Sequence, residues 1–195
     1  MAFTDSEPAV LDREAVKILI AGGFGVGKTT LVGAVSEIVP LRTEELLTSV
    51  GTGIDDLSGV RGKTTTTVAL DFGRISLSPQ LVLYLFGTPG QERFWFMWDE
   101  LASGSLGAVV LADTRRLDAC FPAIDFFEAR GIPFVVAVNC FDDAPLYPVE
   151  RVHAALDLDP GIPVMHCDVR DRRSGKEVLV GLVTYLLERV AQPTW

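Results

Sequence analysis

The stretch Gly22-Gly23-Phe24-Gly25-Val26-Gly27-Lys28-Thr29 follows an apolar run, Val16 to Ala21, and precedes a segment of helical character, Leu31 to Val39. It has the G-x-x-x-x-G-K-S/T spacing of a phosphate-binding loop, in the strand-to-helix context that gives the pattern its meaning. The spacing has a physical cause. Glycines let the backbone wrap tightly enough for several N–H groups to point inward at phosphate oxygens, and the helix beginning at Lys28 adds the positive end of its dipole. Lys28 is expected to reach the β- and γ-phosphates as a point charge, and the Thr29 hydroxyl to ligate a Mg²⁺ bridging the same oxygens. Gly22, Gly23, Phe24, Gly25, Val26, Gly27, Lys28, Thr29 and Thr30 are therefore candidate nucleotide-binding residues.

The 195 residues suffice for one domain, with 48% hydrophobic and 22% charged residues as in an ordinary globular chain. A formal net charge of −9 argues against nucleic acid as a partner, because phosphate backbones attract basic surfaces. Met1 to Arg13 is polar and acidic, which is neither a signal peptide nor a membrane span, so residues 1–14 are expected to be a flexible lead to a single domain over 15–195. No apolar run reaches the roughly 20 residues a membrane-spanning helix needs. Cys120, Cys140 and Cys167 are too scattered for a disulfide framework, His153 and His166 offer no zinc site, and the Gln-Pro-Thr-Trp195 end has no lipidation box. These features imply a cytoplasmic chain.

Beyond the loop, strand-like and helix-like segments alternate, which indicates an α/β sheet covered on both faces. The expected strands are Val16 to Ala21, Val68 to Ser76, Leu81 to Phe86, Ala108 to Ala112, Pro133 to Asn139 and Pro163 to Cys167. Most are nearly uninterrupted apolar runs, as in strands buried on both faces. The short Leu77-Ser78-Pro79-Gln80 link predicts a hairpin, hence one antiparallel edge strand on an otherwise parallel, six-stranded sheet. Ser174 with Glu177 predicts a capping box for a last helix striped by Val178, Leu182, Leu186 and Val190. Pro40 to Gly62 is expected to be a long loop, functional or mobile.

Later motifs narrow the kind of P-loop protein. Thr67 to Phe72 opens the second strand, and Phe86-Gly87-Thr88-Pro89-Gly90-Gln91-Glu92-Arg93-Phe94 leaves the third. Asn139-Cys140-Phe141-Asp142 caps the fifth strand, and Asp168-Val169-Arg170 follows the sixth. In order and spacing these resemble the small Ras-like GTPases over nearly the whole chain after Glu14. The likeness is greatest to a bacterial branch, the gliding-motility GTPase MglA and above all the actinobacterial conservon (CvnD-type) GTPases, on Lys63-Thr64-Thr65-Thr66-Thr67, Asp71-Phe72-Gly73-Arg74 and Asn139-Cys140-Phe141-Asp142.

The resemblance implies GTP/GDP and Mg²⁺ as ligands. It matches Thr67 to the switch threonine that contacts Mg²⁺ and the γ-phosphate, Gly90 to the glycine whose N–H meets that phosphate, and Gln91 to the glutamine that orients the attacking water. Gln91, Lys28 and Thr67 are the candidate catalytic set, and Thr29 and Thr67 the metal ligands. Asn139 and Asp142 are expected to read the base, because a carboxylate accepts the paired N1–H and N2–H₂ donors of guanine, whereas adenine has no such pair there. Val169 would donate its N–H to the guanine oxygen, and Arg170 stands where the family usually has lysine. The likeness further implies a roadblock-type regulator and a sensor-kinase-like protein as partners, with membrane recruitment, if any, through one of them.

Several residues depart from that pattern. Gly87 stands where most of the superfamily has the Mg²⁺-holding aspartate, as the MglA branch also lacks it. Cys140 replaces a lysine, Phe24 a frequent glycine, and Thr66 the arginine of MglA. Slow intrinsic hydrolysis is the expectation, roughly 10⁻⁴ to 10⁻² per second. A scaffold without turnover and an ATP-using P-loop protein stand as alternatives. Phe94, Met97, Trp98 and Leu101 share a helical face read as core, leaving Trp95 and Phe96 for an interface. His153 falls with Val149, Val152 and Leu156 at the core edge.

Overall fold

Alternation along β1 (Glu14–Gly22) divides the molecule into two cores. Ile18 and Ile20 face one side of the sheet and Leu19 and Ala21 the other, all essentially inaccessible to solvent. The same division recurs in β5 (Gly107–Ala112) and β6 (Phe134–Asn139), where Val109, Leu111, Val135 and Ala137 join the first core and Val110, Ala112, Val136 and Val138 the second. This is the two-residue period of a sheet covered on both faces. The computed structural model describes residues 14–48, 65–90 and 92–191, and their side chains except for 42–48, 65–69, 92 and 93.

The first core is closed by α1 (Lys28–Val35) and α5 (Arg172–Ala191), through Leu31, Val32, Val35, Val178, Leu182 and Leu186. The second is closed by α2 (Trp98–Ala102), α3 (Phe121–Ala129) and α4 (Val149–Ala155). Trp98 meets Phe126 edge-on at 5.1 Å and lies along Phe127. Completing the sheet are β2 (Leu41–Thr48), β3 (Thr65–Ser76), β4 (Leu81–Gly87) and β7 (Val164–Cys167), in the order β2-β3-β4-β1-β5-β6-β7. Pairings of β1 with β4 and β5, of β5 with β6 and of β6 with β7 are parallel. The β3–β4 hairpin is antiparallel, as its short link predicts.

The α/β fold and its mostly parallel sheet are as expected, and a seventh strand is added to them. β2 occupies part of the expected Pro40–Gly62 loop and pairs antiparallel with β3, so the strand that runs against the others, β3, stands one in from the edge. Its sequence, Leu-Arg-Thr-Glu-Glu-Leu-Leu-Thr, has the charges an edge strand tolerates, which is why hydrophobic patterning does not reveal it. α1 ends at Val35, short of the expected Val39, because Ser36 leaves the helix and its Oγ accepts the Ile38 and Arg74 amides. The cap of α5 is Asp171, whose Oδ1 accepts the Arg173 N–H at 2.8 Å, while Ser174 lies inside the first turn. The stripe on α5 stops at Leu186; Val190 is exposed. A short 3₁₀ segment, Glu92–Met97, precedes α2, so Phe94 and Trp98 are buried, Met97 and Leu101 are half-buried and Trp95 and Phe96 are exposed. His153 is half-buried, with Nε2 3.2 Å from the Asp159 carbonyl. Residues 1–13, 49–64, Gln91 and 192–195 lie outside the described residues. Among those described, no helix is long and apolar enough to cross a membrane.

Candidate functional site

Parallel strands deliver the expected motifs to one edge of the sheet. The phosphate loop leaves the C-terminal end of β1, and Asn139 ends β6. Lys28 opens α1 and turns back over the loop, where its ammonium donates to the Gly22 carbonyl at 2.8 Å and the Gly23 carbonyl at 2.7 Å. Burial pushes its pKa down to about 8, with Asp71 pulling the other way. Gly90 crosses directly above: a Cβ there would lie 2.5 Å from Lys28 Nζ and 3.1 Å from the Gly23 carbonyl. Trp98 Nε1 holds this crossing by donating to the Pro89 carbonyl at 3.1 Å.

Asp71 was quoted in the sequence only as part of a strand motif, yet its carboxylate is the acid at this site. It is buried, and Oδ2 accepts the Thr29 hydroxyl at 2.5 Å. Its β4 neighbour in register is Gly87. A Cβ at Gly87 would come within 3.1 Å of Asp71 Cβ and 3.2 Å of Oδ2, so the glycine of β4 is what makes room for the carboxylate of β3. A hydroxyl and a carboxylate meeting beside Lys28 are the hard oxygen donors Mg²⁺ takes, usually completed by phosphate oxygens and water. The residues therefore fit that ion. Among the described residues no group of three or more His, Cys, Asp or Glu is suited to a metal by itself. Thr67 lies in β3 opposite Leu46, so its backbone belongs to a paired strand.

Asn139 is buried and acts as a strut: Nδ2 donates to the Val26 carbonyl at 3.0 Å, and Oδ1 lies 3.4 Å from the Val169 N–H. It ties the phosphate loop to the segment after β7. Beyond it, a cavity of about 300 Å³ is lined by Asn139, Cys140, Phe141, Asp142, Asp168 and Arg170 among others. Asp142 is exposed there, and Arg170 Nη1 and Nη2 donate to its two oxygens at 3.0 Å each. Arg170 also bonds Asp168, and its guanidinium holds both carboxyls below the usual carboxylate range.

Residues 20–189 match a family described as conserved hypothetical ATP binding protein. The chain belongs to that family. It is 30% identical over 134 residues to the uncharacterized protein MJ1339 of Methanocaldococcus jannaschii, covering 68% of this chain and 74% of that one. Against the Ras-related protein Rab-7b of Homo sapiens the identity is 27% over 166 residues, 85% of this chain and 66% of the relative. The fold is that of the cytosolic domain of the T. maritima FeoB iron transporter, with TM-score 0.62 and 17% identity over 93% of this chain and 66% of that one. The FeoB G domain alone gives TM-score 0.59 and 18% identity over 91% and 99%. This member of the ATP-binding family thus binds a nucleotide through a P-loop G-domain fold.

Sequence reasoning missed Asp71 as a site residue, and it missed Arg116. Arg116 follows β5, and its Nη2 donates to the Phe24 carbonyl at 3.2 Å, placing a cation on the phosphate loop from outside. Arg115 beside it pairs with Asp113 and Asp143 and lies 3.9 Å over the Phe141 ring, which braces the loop carrying Asp142.

The lowered pKa of Lys28 has a measurable consequence. Between about 8 and its ordinary 10.5, the folded protein binds fewer protons at this lysine than the unfolded chain, so this contribution to stability rises with pH across that window. Phosphates meeting Lys28 as expected from the motif would reverse the shift. Nucleotide binding near pH 9 is therefore expected to take up close to one proton, with affinity falling up to about ten-fold per pH unit above 8. Calorimetry in two buffers of different ionisation enthalpy measures the uptake, and none at pH 9 would mean that Lys28 does not change its proton on binding.

Proposed function

We propose that this chain is a guanine-nucleotide switch of the kind its sequence resembles, binding GTP and GDP with Mg²⁺ and hydrolysing GTP slowly. The observation that carries the reading is the Asp142 carboxylate, which stands at the cavity beyond Asn139 and accepts two parallel N–H bonds at 3.0 Å from one planar group. Guanine offers such a pair on its N1–H and N2–H₂ edge, and adenine does not. Lys28 would offset the charge of the β- and γ-phosphates, and Thr29 and Asp71, with Thr67 by resemblance, would hold Mg²⁺, whose charge adds to that of Lys28 at the same oxygens. Gln91 would orient the water that attacks the γ-phosphorus, and the N–H of Gly90 would sense that phosphate.

The likeness to MglA and the conservon GTPases belongs to this proposal, as do a roadblock-type regulator, a sensor-kinase-like partner and a cytoplasmic location with any membrane recruitment through them. Exposed Phe24, Trp95 and Phe96 near the phosphate loop and the segment after it suit such protein contacts. A second reading, ATP as the nucleotide, is favoured by the description of the family.

Identifying the nucleotide released when the purified protein is denatured separates the two, with GDP or GTP expected. Asp142→Ala should weaken GDP binding by about 100-fold or more, the loss of two hydrogen bonds to a charged acceptor, and leave ATP binding unchanged. ATP competing with GTP at equal concentration would sink the guanine reading. Phosphate release no faster than in Lys28→Ala, with and without partner, would leave a scaffold without turnover.

A further inference from the structure

Guanine reads as a guanidine closed into a ring: N1–H, C2 and N2–H₂ form the same three-atom fork that Nη1, Cζ and Nη2 form in arginine. Both present two parallel N–H donors, and both match one carboxylate face. In this protein the carboxylate that would meet guanine already holds such a fork, from Arg170, with one bond to each Asp142 oxygen. Base and side chain therefore compete for the same two acceptors.

Arg170 is not held by Asp142 alone. Its Nε and Nη2 donate to Asp168 Oδ1 and Oδ2 at 2.9 Å each, and Asp168 Oδ1 also accepts the Arg170 backbone N–H at 3.0 Å. Asp168 is thus an anchor two residues away on the same turn, while Asp142 is reached across to the loop after β6. Letting go of Asp142 leaves the anchor intact. The Asp142 pair is also exposed, at 55% for Arg170 and 84% for Asp142, where ion pairs are weak and screened by salt.

Resting on the guanine reading above, we propose that Arg170 is an internal mimic of the guanine edge, a hinged latch that closes on Asp142 and must swing aside, still tied to Asp168, before a base is read. The open fraction sets the apparent affinity and association rate for guanine nucleotides. Binding through the phosphate loop alone is unaffected.

The test is stopped-flow association of a fluorescent GDP analogue with the full chain in Mg²⁺ buffer, for wild type, Arg170→Ala and Arg170→Lys, with competition by pyrophosphate alongside. Arg170→Ala is expected to associate about three- to five-fold faster, the shift an exposed ion pair commands. Arg170→Lys should gain less, because an ammonium still pairs with Asp142 but cannot form the fork. The gain should shrink towards unity as salt rises from about 0.05 to about 0.5 M. Pyrophosphate affinity should be the same in all three. Removing a positive charge near an anionic ligand by itself slows association, so the expected sign is opposite to a plain charge effect. Unchanged or slower association in Arg170→Ala, with guanine still preferred over adenine, overturns the latch and leaves Arg170 as a brace between two loops. Wild-type protein that binds ATP as fast and as tightly as GDP overturns the guanine reading itself, and the latch with it.

Discussion

On the proposed binding of GDP with Mg²⁺, Asp71→Ala is expected to release GDP about a hundred-fold faster in Mg²⁺ buffer and to make that release indifferent to EDTA. Losing an outer partner of a metal ligand costs about 10- to 100-fold in metal affinity, and Asp71, with its Oδ2 on the Thr29 hydroxyl, is at least such a partner. The register makes a stronger version possible. Because Asp71 and Gly87 are direct neighbours on β3 and β4, the carboxylate can be moved from one strand to the other. The exchange variant Asp71→Gly with Gly87→Asp should recover most of the retention and its EDTA sensitivity. Gly87→Asp alone should not: the added Cβ would crowd Asp71 Cβ at 3.1 Å, and two carboxylates on paired neighbours cannot both stay charged cheaply. GDP dissociation rates with and without EDTA read all four proteins. Wild-type EDTA sensitivity in Asp71→Ala would remove Asp71 from the metal site.

What the sequence disclosed and what it hid follow from the range of the interactions involved. The phosphate loop was legible because strand, glycines, lysine and helix are contiguous, and the parallel strands were legible because burial on both faces writes long apolar runs. The place of Asn139 at a strand end was legible, and β6 ends there. Asp71 was not, since its role depends on which residue of β4 it faces. Both strands and their hairpin were foreseen, and stepping back along the antiparallel register from the Ser76–Val82 pair reaches Asp71 opposite Gly87. Only the registration of the turn was missing. β2 was hidden for another reason, that an edge strand needs no apolar alternation. The Arg170 fork joins loops after β6 and β7, and Arg116 joins the loop after β5 to the loop after β1. Contacts between loops leave no periodic trace in either sequence. Thr30 stands in α1 and is exposed, so nothing beyond its neighbour Thr29 assigns it a part.

Gly22→Ala should lower the thermal midpoint by about 10 °C, whereas Gly25→Ala, in the same loop and also at positive φ, should lower it by only about 2–4 °C. The motif prescribes a glycine at Gly22 and leaves Gly25 open, and the structure gives the physical reason. Gly22, at φ +131, ends β1 against β5, and a Cβ there would sit 2.4 Å from the Leu111 carbonyl oxygen and 3.1 Å from Val26 Cγ1. The nearest of these is backbone of a central, fully buried strand, so relief requires parting β1 from β5 rather than turning a side chain. Strain at that φ and the overpacking together cost about 3–5 kcal/mol, and in a chain of this size each kcal/mol moves the midpoint about 2–4 °C. Gly25 has φ +75, and a Cβ there meets nothing nearer than Arg116 Nη2 at 3.9 Å. Its cost is the left-handed backbone alone, about 1 kcal/mol. Calorimetric melting of both variants without added nucleotide makes the comparison. Equal shifts would mean that the end of β1 yields easily to a methyl group, and that the loop is not fixed to the sheet at Gly22. If the shifts separate as expected, Gly22 fixes the carbonyl that receives Lys28, and the loop's geometry is inherited from the pairing of β1 with β5.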